Sequence, residues 1–147
     1  MKILKVRNVK TPERGTPGSA GIDLFIPDDF VTTTIKVNES ILIPSGIKAN
    51  IPDNHVLIAM NKSGIAVKKS LLIGACVIDE DYQGEMHIDL KNAGTIPQTL
   101  HAGDKIIQLV CLPVNYVSIE EVNSEEDLFN NITTHRGSGG FGSTGSH

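Results

Sequence analysis

The residues best suited to chemistry crowd into GACVIDEDYQGEMHIDLKNAG, residues 74–94. Four acids, Asp79, Glu80, Asp81 and Glu85, surround one tyrosine, Tyr82, and one glycine, Gly84. Asp79 stands directly behind Cys76-Val77-Ile78, where an apolar strand should still be running. A carboxylate at the inner end of such a strand loses solvation, and burial alone raises its pKa. With cations or a metal nearby it stays ionised and can orient a water as a general base. An acid in a hairpin turn is the plainer reading of the same residue, and this stretch by itself leaves both open. Tyr82 and Gly84 fit a turn that sends the chain back into residues 86–91. A tyrosine ring held there can stack on a flat or furanose-like ligand, or simply lie on the surface.

Four other places carry polar groups where packing alone would not ask for them. In AMNKSGIAVKK, Ser63-Gly64 opens a short helical pattern, so free N–H groups and a hydroxyl either cap the helix or attract an anion, with Lys62 adding a point charge. In AGIDLFIP, Asp23 lies inside an apolar strand and must be paired, hydrogen-bonded or near a metal. In KIIQLVCLP, Gln108 shares by alternation a face with Ile106 and Val110, which fits an edge strand or a polar contact. The last twelve residues, RGSGGFGSTGSH, contain five glycines, three serines, Arg136 and Phe141. Such a segment is a mobile linker, or an arm whose amides and arginine wrap phosphates while the ring caps a base.

These groups need a scaffold, and the rest of the chain describes one. At 147 residues the chain is long enough for one domain with a real core. With 39% hydrophobic residues, 4% aromatic and no Trp, that core must be aliphatic. Met86, Ile88 and Leu90 alternate with His87, Asp89 and Lys91, as in a half-buried strand. SILIPSG, HVLIAM, KIIQLVCLPV and NYVSIEEV are further short runs bounded by Gly, Pro, Asn or Asp. Many short strands between turns predict an all-β sandwich or barrel. One short helix is expected after Ser63-Gly64, where Ile65, Lys68, Lys69 and Leu72 form an amphipathic turn or two. The domain is expected over residues 1–122, a polar connecting arm over 123–135, and the flexible tail over 136–147.

A net charge of −4 argues against broad nucleic-acid binding, so any polyanionic ligand needs local cations or a metal. Cys76 and Cys111 match no zinc spacing, and the pair is read as reduced thiols with a single bridge left open. The five histidines form no metal-binding cluster. MKILKVRNVK carries charges at positions 2, 5, 7 and 10, which excludes a signal-peptide apolar stretch, and no membrane span is present. A cytoplasmic location is expected.

In order along the chain, PGSAGIDL, NKSGIA, GACVIDEDYQGE, AGDKIIQLV and RGSGGFGSTG resemble the five motifs of the trimeric dUTP pyrophosphatase (dUTPase) family. The resemblance spans the chain from its first strands to its tail. It implies a jelly-roll-like distorted barrel in a homotrimer with shared active sites. It also implies Mg²⁺-dependent hydrolysis of dUTP to dUMP and pyrophosphate, which limits uracil in DNA and supplies dUMP for thymidylate synthesis. By match to the motifs, Asp79 is the base that directs water at the α-phosphorus. Tyr82 packs beneath the deoxyribose and leaves no room for a 2′-hydroxyl. Main-chain groups of Ala75, Cys76 and Val77, and those around His87, pair with uracil. Lys62, Ser63, Gly64 and Gln108 hold the phosphates, and Asp23 stands near the water shell of a Mg²⁺ bound mainly by substrate. Arg136 reaches the γ-phosphate, Phe141 covers uracil, and Gly142 and Ser143 wrap the phosphate chain.

The chain departs from the family pattern in three places. Asn61-Lys62-Ser63-Gly64 replaces Pro-Arg-Ser-Gly, which keeps a charge but loses the bidentate fork and predicts weaker triphosphate contact. Cys76 replaces a glycine beside the uracil pocket, so its side chain must turn away from the base. The segment from Cys111 to Arg136 is several residues longer than in compact members, and its 123–135 arm is a candidate surface for a protein partner. Two other functions fit the same fold: a dCTP deaminase, and a dUTP-sensing regulator that binds another protein.

Overall fold

Residues 86–91 sort as their alternation requires: Met86, Ile88 and Leu90 are buried, His87 and Lys91 are exposed, and Asp89 lies between. The same sorting recurs through a computed structural model that describes residues 1–140. Its strands are β1 (Lys2–Lys5), β2 (Ile22–Phe25), β3 (Thr33–Ile35), β4 (Ser40–Pro44), β5 (Ile47–Asn50), β6 (His55–Asn61), β7 (Leu71–Ile73), β8 (Val77–Ile78), β9 (His87–Asn92), β10 (Gln98–Leu100) and β11 (Lys105–Pro113). Every pairing between them is antiparallel. One sheet has the order β2-β11-β6-β8 and another β4-β9-β7, while β1-β5 and β10-β3 form two-stranded ribbons. The chain is therefore all-β in class, as its pattern of short strands predicts.

One aliphatic core serves these sheets. Leu24, Leu57, Ile107 and Leu109 enter it from the four-stranded sheet, and Ile43, Leu71, Ile88 and Leu90 from the three-stranded one. Between Lys105 and Ile107 the register of β11 against β2 slips, so Ile106 and Ile107 are both buried. This bulge breaks the alternation that had placed Gln108 on the face of Ile106. A buried polar residue, Asn92, closes the end of β9. Its amide donates to the carbonyls of Ile35 (3.1 Å) and Ile96 (2.8 Å), and its oxygen accepts from the N–H of Gly94 at 3.0 Å.

Helix α1 (Ser63–Lys69) begins at Lys62 and stops at Ser70, whose left-handed backbone (φ 52°) returns its N–H to the carbonyl of Ala66. Leu72, grouped with the helix by its periodicity, instead lies in β7 because Ser70 turns the chain first. Chain contacts divide the molecule into two units, Met1–Asn115 and Tyr116–His147. In the second, a short helix α2 (Glu125–Phe129) occupies the segment read as a polar arm. Ser124 caps it by accepting from the N–H of Asp127, and three acids in the first turn suit the positive end of the helix dipole. Residues 115–122 carry no strand, and Val117 and Ile119 are 78% and 97% exposed. Alternation there lacks a ladder partner among the described residues, and a strand needs one. No described helix is long and apolar enough to cross a membrane.

Because Asn92 satisfies three backbone groups at once, Asn92→Leu would bury two carbonyls and one N–H without partners. A loss of about 2–4 kcal/mol is expected, read as a lower denaturation midpoint with an unchanged m-value.

Candidate active site

The structure gathers the polar residues into two clusters. The first is the loop between β8 and β9. Ile78 ends β8 opposite Leu57, and Asp79 follows it into a turn in which the N–H of Tyr82 donates to the carbonyl of Asp79 at 3.2 Å. Asp79 is exposed in the single chain, so the desolvation expected at the end of an apolar strand is not found there. The neighbouring acids are mostly occupied. Glu80 accepts from the N–H of His55, and Glu85 accepts from Arg7 and from the N–H of Gly46. Asp89 accepts from the N–H of Ala75. Asp79 and Asp81 are exposed, and their carboxylates have no hydrogen bond or ion pair among the described residues.

Tyr82 is 44% exposed, and its hydroxyl donates to the carbonyl of Glu85 at 2.9 Å. Any side chain on Gly84 would collide with that phenol, which accounts for the glycine. His87 Nδ1 also contacts the Glu85 carbonyl at 2.9 Å, so that nitrogen carries the hydrogen. At the start of the loop, a Cβ on Gly74 would strike the carboxylate of Asp89, which needs that space to reach Ala75. Cys76 is half-buried and packs against the core, and Val77 is exposed. Cys76 pairs with Ala59 on one side of β6 and Cys111 with Leu57 on the other, and both thiols are free.

The second cluster surrounds Asp23. Its side chain is nearly sealed from solvent, yet both oxygens are used: Lys62 Nζ donates to Oδ1, and Lys105 Nζ to Oδ2 at 3.0 Å. Desolvation pushes this carboxyl upward, but hydrogen bonds and charge attraction from the two lysines outweigh it, so the pKa lies below the ordinary value. Arg14 fixes the preceding loop by donating to the carbonyls of Ser19 (2.5 Å) and Ala20 (2.6 Å). Gln108 sits in register with Asp23 on β2 and Met60 on β6, on an interior strand rather than an edge. Its amide donates to the carbonyl of Asn61 at 3.0 Å, and its approach to β2 requires Gly21 to lack a side chain. Ser63 and Gly64 form the first turn of α1, where N–H groups have no intrahelical acceptor. Lys62, Gly64, Ile65, Lys68, Lys69 and Lys105 line a cavity of about 280 Å³ beside it.

Within one chain β6 sets Asp79 apart from Lys62, although the start of the hairpin runs beside Asn61, whose side-chain oxygen accepts from the N–H of Ile73 at 2.9 Å. Asp79 follows the residue opposite Leu57, whereas Lys62 follows Asn61 at the other end of β6. Lys62 lies five residue steps beyond Leu57, about 17 Å of strand at about 3.3 Å per step. Among the described residues no three His, Cys, Asp or Glu side chains gather as a metal site. Arg136 Nε donates to the carbonyl of Gly139 at 2.8 Å in the second unit, while Phe141, Gly142 and Ser143 lie outside the described residues. Sequence reasoning missed Arg7, Asn61, Asp89 and Lys105. Asp89 reads as one more solvent-facing member of its alternating strand, and Arg7 as one more charge near the N-terminus. Their partners are distant in sequence, so no local pattern marks them.

A family model described as dUTPase matches residues 7–145. The mouse deoxyuridine 5′-triphosphate nucleotidohydrolase is 40% identical over 134 residues, covering 91% of this chain and 77% of that protein. The chain belongs to the dUTPase family. Its fold is also that of a Staphylococcus bacteriophage 80alpha dUTPase solved with dUPNHPP, at a TM-score of 0.85 and 23% identity over 98% of this chain and 97% of that one. A mutant dUTPase from phage phi11 of S. aureus, described as revealing the coordination of a structural Mg(II) ion, aligns at a TM-score of 0.74 and 24% identity. That alignment covers 85% of this chain and 97% of the phage chain.

A folded-state pKa below the unfolded one means that Asp23 stabilises the fold above the unfolded value of about 3.9 and loses that contribution as pH falls through the native value. Replacing Asp23 by Asn leaves the half-buried Lys62 ammonium without its counter-charge, while the exposed Lys105 turns to solvent, at an expected cost of about 1–2 kcal/mol at pH 7. The gap between the two proteins should shrink below about pH 4, as thermal melts across pH would record.

Proposed function

We propose that this chain hydrolyses dUTP to dUMP and pyrophosphate, with Asp79 as the base that directs the attacking water. What carries the reading is how the acids in and beside the third motif are used. Glu80, Glu85 and Asp89 are spent on backbone and arginine contacts, so the acids left for chemistry are Asp79 and Asp81. Asp79 is the better placed, because it directly follows β8 and its own carbonyl holds the turn by accepting from the N–H of Tyr82. The family membership and the relatives named for this activity point the same way.

In this reading the hairpin is the nucleoside side of the site. The Tyr82 ring, tethered through its hydroxyl, lies under the deoxyribose where a 2′-hydroxyl would collide. Main-chain groups of Ala75, Cys76 and Val77, and those near His87, pair with uracil. Cytosine would leave buried donors and acceptors mismatched, a large penalty. Lys62, Ser63, Gly64 and Gln108 form the phosphate side. Asp23 holds Lys62 and Lys105 in place rather than facing a metal directly, since both its oxygens accept from ammonium groups.

The span along β6 suits the shared sites of a homotrimer, in which Asp79 of one chain would serve the Lys62 cluster of another. Arg136, Phe141, Gly142 and Ser143 of a neighbouring tail would then close over the nucleotide. A Mg²⁺ held mainly by the substrate phosphates would need few protein ligands, and the Lys62, Ser63 and Gln108 side would hold the phosphates that carry it. When bound, that ion neutralises charge developing on the phosphates. The Lys62 ammonium, with one point charge shared with Asp23, would grip the triphosphate less firmly than an arginine fork.

Asp79→Asn should lower kcat for dUTP by about 10³-fold while dUTP binding persists, whereas Asp81→Asn should retain turnover. Pyrophosphate release and calorimetric binding with Mg²⁺ measure both. Turnover surviving in Asp79→Asn removes it from the base role, and ammonia released from dCTP would overturn the reaction assigned.

A further inference from the structure

Arg7 lies outside every motif recognised in the sequence, yet it reaches the last residue of the third one. Its Nε donates to Glu85 Oε1 at 2.9 Å, and its Nη1 donates to Asp29 Oδ2 at 3.0 Å. The same Glu85 oxygen accepts from the N–H of Gly46 at 2.8 Å, and Gly46 has the left-handed backbone (φ 75°) that presents this N–H. The Glu85 side chain is only 18% exposed. On its main-chain side, the Glu85 carbonyl receives the Tyr82 hydroxyl and His87 Nδ1, each at 2.9 Å. The next residue, Met86, is pinned by two backbone bonds, to Ser45 (3.0 Å) and Ile47 (2.9 Å).

We infer that Arg7 is a positioning residue for sugar discrimination, acting through Glu85 on the Tyr82 ring. The inference rests on the reading of Tyr82 as the platform beneath the deoxyribose. A phenol tethered at its hydroxyl has the far end of its ring axis held by the acceptor, here the Glu85 carbonyl. That carbonyl stays in place because the Glu85 side chain is clamped by one arginine nitrogen and one amide. Removing the guanidinium leaves Glu85 and Asp29 as two carboxylates with no shared cation, and repulsion moves the residue that anchors the ring. Lysine is a poorer substitute, since its three N–H groups radiate from one nitrogen and lack the planar fork by which Nε and Nη1 reach the two carboxylates from separate atoms. His87, on the same carbonyl, would shift with the tyrosine.

The test compares wild type with Arg7→Met, Arg7→Lys, Glu85→Gln and Tyr82→Ala, using kcat and KM for dUTP and for UTP, each with Mg²⁺, and thermal midpoints. For Arg7→Met the expected result is kcat within about twofold, KM for dUTP raised about tenfold, and the dUTP-over-UTP preference reduced by a similar factor. Arg7→Lys should fall between Arg7→Met and wild type. A lowered melting midpoint with an unchanged preference would make Arg7 merely structural and overturn the inference. Should Arg7→Met fail to fold, Glu85→Gln serves in its place: a neutral acceptor weakens the clamp without abolishing it, so a smaller loss of preference in the same direction is expected, and an unchanged preference overturns the inference. If Tyr82→Ala keeps the full preference, the sugar-platform reading itself fails; if it loses the preference while Arg7→Met and Glu85→Gln keep it, only the present inference fails. A readout independent of turnover is available because the chain has two tyrosines and no tryptophan. In a Tyr116→Phe background, tyrosine anisotropy should fall on Arg7→Met, and an unchanged value would also count against the inference.

Discussion

Strand β6 is the constraint on which the site depends. It pairs with β11 along its whole length and with β8 near its middle, so its course is fixed from both sides. Its end leads directly into Lys62 and α1, while its pairing with β8 sets where Asp79 emerges. Both polar clusters are thus mounted on one rigid element, and that element also keeps them apart. A strand cannot shorten to bring its ends together, because its rise per residue is set by backbone geometry.

The acids divide into those that hold structure and those left free. Asp23 is the most constrained: buried, and carrying two lysines from the ends of different strands. Burial penalises its charge, but with two ammonium partners the ionised form remains favoured. This arrangement ties the start of α1, β2 and β11 together at the point where phosphate contacts are assigned. Lys62 is then less an independent cation than one member of a triad. Glu85 does the corresponding work at the hairpin, where the pull of Arg7 and the Gly46 amide keeps it charged despite its desolvation.

Glycines mark the places where side chains of these networks come close. Gly21 admits Gln108, Gly74 admits Asp89, and Gly84 admits the Tyr82 phenol. In each case the neighbouring polar group occupies the volume a methyl would take. The glycines of the motifs are thus explained by space around particular functional or positioning groups rather than by turn flexibility alone.

Much was legible from local pattern. Aliphatic runs broken by turn residues defined the β class, and residues 86–91 sorted to their faces as written, because side-chain direction in a strand depends only on its period of two. The helix after Lys62 was visible from its start, and the five motifs marked the family. What local pattern could not supply was partnership at a distance. Residues 115–122 alternate but have no strand to join, and Leu72 was claimed by β7 once Ser70 ended the helix. Gln108 became an interior residue through a bulge at Ile106. Asp23 was determined by sequence to need a partner, but only the fold chose two lysines, one 39 residues away and one 82 away. Arg7 and Glu85, 78 residues apart, meet for the same reason: charge pairing acts through space, and sequence records only neighbours along the chain.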